Sequence, residues 1–117
     1  MKYPTINGWT RETMKAAIRA GNNGTRARAE KTDRCLYLTA DGNKCAVGCF
    51  IPDGHRAQKA KHAIHTLLVA YPELFASMPL GVRDLNYMQA EHDEYLGPDD
   101  MRDILCTWID ANVEDAP

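Results

Sequence analysis

Residues 35–51 read CLYLTADGNKCAVGCFI, and this stretch decides the predicted fold. Two apolar runs, residues 35–39 and 45–51, flank a short polar segment that contains Asp41-Gly42. An Asp-Gly pair between two apolar runs is a strong signal of a β-hairpin. We therefore predict two antiparallel strands joined at Asp41-Gly42, and Pro52-Asp53-Gly54 ends the second of them.

Helical patterns lie on both sides of this hairpin. Thr10 is a candidate N-cap for a first helix, and Gly21 is a natural stop for it. Apolar residues recur at helical spacing in residues 57–71, 82–92 and 101–109. The predicted fold class is therefore α+β: a two-stranded β-hairpin packed against about four helices. We expect a single domain that covers residues 1–117.

Length and composition fit one hydrophobic core. The chain has 117 residues and 44% of them are hydrophobic, which is enough for one core and too little for two. The sequence contains no run of about 18 apolar residues, so it predicts no membrane span. The first residues lack the apolar stretch of a secretory signal, so we expect a cytoplasmic protein without membrane contact. A homodimer that extends the hairpin edge is an alternative to covering the hairpin with helices.

The net charge of −2 hides a strong asymmetry along the chain. Residues 1–61 carry twelve Lys and Arg against five Asp and Glu, whereas residues 62–117 carry two against eleven. Arg11, Lys15 and Arg19 follow one another at i,i+4 and line one face of the first helix. Two interpretations stay open: a basic face that binds an anionic ligand or nucleic acid, and two halves that pack together and neutralise each other.

The four cysteines, at positions 35, 45, 49 and 106, include no CxxC pair. On an extended strand, Cys45 and Cys49 would lie roughly 13 Å apart, too far for a shared zinc ion or a disulfide. We therefore expect buried structural thiols, with no metal and no cofactor. A metal site and a reactive thiol are the alternatives, and the metal site would require this segment to coil.

His92 lies on the apolar stripe of the third predicted helix, in line with Leu85 and Met88. A histidine on such a stripe is most often a core residue. The alternative is a general base or a ligand, because imidazole titrates near physiological pH, and a nearby cysteine would then make a nucleophile. Asp93 points about 100° away on a helix, so we expect it to be a poor partner for His92 in a catalytic triad.

Two segments resemble a motif of small uncharacterised proteins of tailed bacteriophages and prophages. Residues 35–53 are similar to the pattern CxYxxxxGxxCAVGxLIPD, with Phe50 in place of leucine. Residues 88–93 are similar to LQxxHD, with Met88 in place of leucine. The resemblance implies a phage accessory gene product and brings no known activity. It singles out for testing Cys35, Tyr37, Cys45, Gly48, Gln89, His92 and Asp93.

These observations lead to the hypothesis of a phage accessory protein, of which anti-defence proteins are one kind. It would be non-enzymatic, and it would bind and inhibit or sequester a host factor or a small anionic ligand such as a nucleotide. The alternatives are a small enzyme that uses a thiol and His92, and a metal-stabilised module that binds nucleic acid. The candidate ligand-binding residues are Arg11, Lys15, Arg19, Tyr37, Gln89, His92 and Asp93.

Overall fold

Four α-helices make up most of the regular structure. The computed structural model describes residues 3–4, 9–25, 27, 36–60, 64–74, 82–94, 97 and 99–114. The helices are α1 (Arg11–Gly21), α2 (Ile64–Ala70), α3 (Val82–Glu94) and α4 (Met101–Asn112). Three short 3-10 helices lie between α1 and α3, at Gly48–Phe50, Arg56–Lys59 and Pro72–Leu74. Two-residue strands near the ends of the chain, β1 (Tyr3–Pro4) and β2 (Val113–Glu114), pair in parallel.

The starts of α1 and α4 are capped by side chains, and the first of these caps, Thr10, is the one that the sequence predicts. Thr10 accepts the Thr13 N–H at 3.1 Å, and Thr13 Oγ1 accepts the Thr10 N–H at 2.7 Å, which completes a capping box. Asp100 accepts the Arg102 N–H at 2.8 Å at the start of α4. The Arg102 side chain also donates to Asp100 and lowers the pKa of that carboxyl to about 2, so the cap stays ionised.

The four predicted helices are present in the structure, except that one of them is divided. The segment predicted as a single helix over residues 57–71 is divided into the Arg56–Lys59 3-10 helix and α2, and residues 61–63 lie outside the described residues. The third and fourth predicted helices correspond to α3 and α4. Within the described ranges, no helix is long and apolar enough to cross a membrane.

The hydrophobic core is built around α4, which packs against both α1 and α3. α1 packs against α4 and against the Gly48–Phe50 turn, while α3 packs against α4 and α2. Trp9 meets Phe50 edge-on, with 5.2 Å between the ring centroids. The largest fully buried apolar side chains are Met14, Ile18, Val47, Ile51, Leu67, Leu85, Met88, Met101, Leu105, Ile109 and Val113.

The predicted β-hairpin is wrong, and the domain is helical rather than α+β. The Asp-Gly turn itself forms: Gly42 has a φ of +90°, and the Thr39 N–H donates to the Asn43 carbonyl oxygen at 2.8 Å. The second apolar run then coils instead of extending. The Cys49 N–H donates to the Cys45 carbonyl oxygen at 3.1 Å, so the two cysteines are not held apart along a strand. Cys35 lies outside the described residues.

The backbone groups that a hairpin would pair find other partners. The Lys44 N–H donates to the Gly21 carbonyl oxygen at the end of α1, at 3.0 Å, and the Leu36 N–H donates to the Ala27 carbonyl oxygen at 3.1 Å. Periodicity alone cannot distinguish a short apolar run in a strand from a buried helical turn, and here the surrounding structure decides for the turn. The hairpin edge that suggested a homodimer is therefore absent from residues 36–51.

Gly48 is required where the coiled segment crosses the backbone of Tyr37. A Cβ atom at position 48 would lie 2.1 Å from the Tyr37 carbonyl oxygen and 2.8 Å from its carbonyl carbon. We expect Gly48→Ala to lower the free energy of unfolding by about 3 kcal/mol or more, because the backbones must separate. Urea denaturation measures this loss.

Gly42→Ala is the matched control for Gly48→Ala. Gly42 has a positive φ but no atom within 4 Å of the added Cβ. It should lose only the cost of a left-handed conformation, about 1–2 kcal/mol. Equal losses for the two variants would contradict the close approach at Gly48.

Candidate functional site

Three polar side chains of α3 form one cluster against the interior. Gln89 and Asp93 lie one turn apart on the helix, and His92 lies beside them. His92 is completely buried and Gln89 is buried, whereas the Asp93 side chain retains 38% of its exposure. We call Gln89, His92 and Asp93 the α3 cluster.

His92 has hydrogen-bond partners at both ring nitrogens. Nε2 lies 3.0 Å from the Ala27 backbone nitrogen and accepts its N–H. Nδ1 lies 2.9 Å from Asp93 Oδ1. Since Nε2 must carry a lone pair to accept, the neutral ring is assigned the tautomer in which Nδ1 carries the proton and donates it to Asp93. His92 is therefore a core histidine that connects α3 to the segment around Ala27.

Gln89 repeats this arrangement for a second segment. Its Oε1 accepts the Val47 N–H at 3.0 Å, and its Nε2 donates to Asp93 Oδ1 at 2.8 Å. One carboxylate oxygen of Asp93 thus receives hydrogen bonds from both of its neighbours in the cluster. Together Gln89 and His92 accept two backbone N–H groups from segments that belong to neither a helix nor a strand.

The expectation that Asp93 is a poor partner for His92 is wrong. Adjacent residues on a helix differ by about 100° in the direction of their Cβ atoms, but that angle does not fix the ends of their side chains. Rotation about the side-chain bonds brings His92 Nδ1 and Asp93 Oδ1 to 2.9 Å. Gln89 stabilises this orientation because it donates to the same oxygen.

Tyr37 and Cys45 lie close to the α3 cluster. Burial, followed by the nearby Cys45 and Asp93, raises the pKa of Tyr37 to about 12. Burial also raises the pKa of the Cys45 thiol, although its sulfur accepts the Gly48 N–H at 3.4 Å. The structure thus brings together Tyr37, Gln89, His92 and Asp93 among the predicted site residues, and it adds Cys45 to them.

This arrangement favours a structural role over chemistry. The lone pair of His92 Nε2 is already used by the Ala27 N–H, so the ring can act as a base only if that bond breaks. Cys45 and Cys49 are buried free thiols, and burial raises the pKa of Cys49 to about 12. Within the described part of the chain, no group of three His, Cys, Asp or Glu side chains is placed to hold a metal ion.

The basic row on α1 faces acidic residues of α4, away from the α3 cluster. Lys15 Nζ lies 3.0 Å from Asp110 Oδ1 and 3.0 Å from Glu12 Oε1. Arg19 pairs with Asp103 at 3.0 Å. Arg11 lies 3.9 Å from Asp110 and donates to the Val113 carbonyl oxygen at 2.9 Å. Of the two interpretations of the charge asymmetry, mutual neutralisation therefore describes this interface.

A groove of about 460 Å³ runs along the same α1–α4 interface. Lys15 and Arg19 line it, together with Glu12, Asp103 and Asp110. Cys106 also lines the groove, and its sulfur lies 3.9 Å from the Lys15 carbonyl oxygen. Three carboxylates against two cations give this groove no net attraction for an anion.

A second charged surface, which the sequence analysis did not single out, surrounds Tyr71. The Arg56 guanidinium lies over the Tyr71 ring at 5.9 Å from its centroid, and the His55 ring meets Tyr71 edge-on at 5.2 Å. Lys59 is exposed on the same 3-10 helix as Arg56. We call His55, Arg56, Lys59 and Tyr71 the Tyr71 patch.

One sequence signal could have identified the Tyr71 patch. Residues 54–72 contain three Lys or Arg and three His but no Asp or Glu. The charge counts given above divide the chain after residue 61. Because that boundary lies inside residues 54–72, this basic stretch is split between the two halves and does not stand out. A shorter window would have located a run of positive charge without acidic neighbours in the sequence at residues 55–62.

Comparison with known proteins gives no match to a protein-family model, to a curated protein or to a solved structure. The chemistry of the described residues therefore carries the functional argument.

The α3 cluster should be important for stability. His92→Leu removes the acceptor of the buried Ala27 N–H, and Gln89→Leu does the same to the Val47 N–H. Each variant should lower the free energy of unfolding by about 1–3 kcal/mol, the typical cost of a buried group left unsatisfied. Glu91→Gln, at an exposed position of α3, is the control and should stay within about 0.5 kcal/mol of the parent protein. Unchanged urea midpoints for both leucine variants would refute this role.

The α1–α4 ion pairs predict a specific response to charge reversal. The triple variant Arg11→Glu, Lys15→Glu, Arg19→Glu places new carboxylates beside Asp103 and Asp110. Its melting temperature should fall at low salt, and the fall should shrink as salt screens the repulsion. Adding Asp103→Lys and Asp110→Lys should recover part of the loss. If Arg11, Lys15 and Arg19 only faced solvent, the charge reversal would not lower the melting temperature, and the two lysine substitutions would not raise it again.

Proposed function

We propose that this protein is a non-enzymatic bacteriophage accessory protein that acts in the host cytoplasm by binding a host factor. The proposal rests on one observation: the residues of the motif that resembles phage proteins are used to build the protein interior. Gln89 and His92 hold backbone groups, Cys45 is a buried thiol, and Tyr37 is buried beside them. Because these residues have structural roles in the interior, we assign the function to residues at the surface.

The outer face of α3 is the surface that best suits a protein partner. Tyr87 is 54% exposed, and Glu91 and Glu94 follow it one and two turns later on the same side of the helix. The Arg83 guanidinium lies over the Tyr87 ring at 5.8 Å and orients it. Tyrosine is enriched among the residues that dominate the energy of protein interfaces.

The charge of this surface indicates the chemistry of the partner. Residues 62–117 carry two Lys and Arg against eleven Asp and Glu. Asp103 and Asp110 of α4 are used by α1, whereas Glu91 and Glu94 have no ion pair among the described residues. An acidic surface steers association with a basic one, so a host protein that itself binds nucleic acid fits best.

The other hypotheses have less support in the described residues. A thiol–histidine enzyme would need His92 Nε2, which accepts the Ala27 N–H, and a thiolate from a buried cysteine whose pKa is raised. A nucleotide bound by Arg11, Lys15 and Arg19 would have to displace the carboxylates of α4. A metal-stabilised module would need ligands that the described residues do not bring together.

Photo-crosslinking from position 87 in a bacterial host tests this proposal. A photoreactive amino acid in place of Tyr87 should give one discrete protein adduct, and Glu91→Gln with Glu94→Gln should remove it because steering is lost. Thr66→Lys with Ala70→Lys is the matched control, since it changes the net charge equally at exposed positions of α2. The control should keep the adduct. No adduct beyond that formed by the same probe at position 66 would refute the proposal.

A further inference from the structure

We propose that the Tyr71 patch binds the phosphate group of a nucleotide. The patch is formed by the Arg56–Lys59 3-10 helix and by Tyr71, which follows α2, so it uses different residues from the outer face of α3. The inference goes beyond the proposed function and does not depend on it.

The positive charges of the Tyr71 patch differ from most of the others in the described part of the chain. Most of the described Lys and Arg side chains lie beside carboxylates: Arg11, Lys15, Arg19, Lys44 and Arg102. Arg56 and Lys59 are both exposed, and neither has an ion pair among the described residues. An anion that approaches this part of the protein therefore meets two cations without an ion pair among the described residues, while the nearby Glu73 carboxylate is paired with His55.

The Arg56 guanidinium lies against an aromatic ring. Its Cζ is 5.9 Å from the centroid of the Tyr71 ring, a cation–π distance, and the side chain remains exposed. An exposed guanidinium offers parallel N–H donors, which bind a phosphate in a bidentate manner. Lys59 lies three residues further along the same 3-10 helix and adds a point charge on the same side of it.

Aromatic and polar groups suitable for a nucleoside lie next to the cations. Tyr71 is partly exposed and the His55 ring packs edge-on against it. Aromatic side chains next to Arg and Lys are the usual combination for a base and its phosphate. His55 Nδ1 accepts the Ala57 N–H at 3.0 Å, so Nε2 carries the proton and faces Glu73 at 3.4 Å. Glu73 can accept a hydrogen bond from a sugar hydroxyl.

Calorimetric titration of the full chain at low salt tests the inference with four probes: thymidine monophosphate, inorganic phosphate, thymidine and a short oligothymidine. Thymidine monophosphate should bind more tightly than inorganic phosphate, and its affinity should fall as salt rises. Thymidine should not bind measurably. An oligothymidine that binds at least about tenfold more tightly than the monophosphate identifies a strand as the source of the phosphate; equal affinities identify a free nucleotide.

Two double variants locate the site. Arg56→Gln with Lys59→Gln should weaken binding of thymidine monophosphate by about tenfold or more, since charge-assisted hydrogen bonds are lost. Arg56→Lys should give a smaller loss because charge remains without the planar fork. Lys15→Gln with Arg19→Gln removes the same charge from α1 and should keep the affinity. Melting temperatures without ligand show that each variant is folded.

Three results would overturn the inference. The first is that no phosphate-bearing probe binds at low salt. The second is that thymidine binds as well as thymidine monophosphate, which would remove the phosphate from recognition. The third is that the α1 variant loses binding while the variant of Arg56 and Lys59 keeps it.

Discussion

Two backbone N–H groups, those of Ala27 and Val47, depend on side chains of α3 for their acceptors. His92 Nε2 accepts the first and Gln89 Oε1 accepts the second, and both side chains are buried. A buried N–H without an acceptor costs about 1–3 kcal/mol, a large part of the stability of a small domain. The backbone positions of residue 27 and of residues 45–51 therefore depend on hydrogen bonds to α3. Asp93 completes the arrangement, because it fixes the orientation of both acceptors.

The packing of the neighbouring parts of the interior depends on these hydrogen bonds to α3. With Val47 held by Gln89, the Gly48–Phe50 turn packs against α1 and crosses the backbone of Tyr37, where only glycine fits. The Lys44 N–H meets the end of α1 at the Gly21 carbonyl oxygen. The described part of the first half of the motif, residues 36–53, and its second half, residues 88–93, are thus the two sides of one internal contact. Their spacing along the chain reflects packing, and a reactive centre is not needed to explain it.

The charges divide into those that the fold uses and those that it leaves at the surface. Lys15 and Arg19 are paired with Asp110 and Asp103, so α1 and α4 neutralise each other across their interface. Among the described residues, two surfaces of opposite sign remain: the Tyr71 patch is basic, and the outer face of α3 is acidic around Tyr87. Each combines charge with an aromatic ring, which is the composition expected of a binding surface.

The sequence by itself determined the start of α1, the turn at Asp41-Gly42 and part of the site. Thr10 and Asp100 cap α1 and α4 because capping uses neighbours within three residues, and the turn at Asp41-Gly42 forms because glycine accepts a positive φ. The buried position of His92 follows from its place on an apolar stripe. Only the tertiary structure decided that residues 45–51 coil, that Asp93 reaches His92, and that Arg11, Lys15 and Arg19 meet α4. In each of these cases the deciding partner lies far away in the sequence or depends on side-chain rotation, and neither is encoded in local spacing.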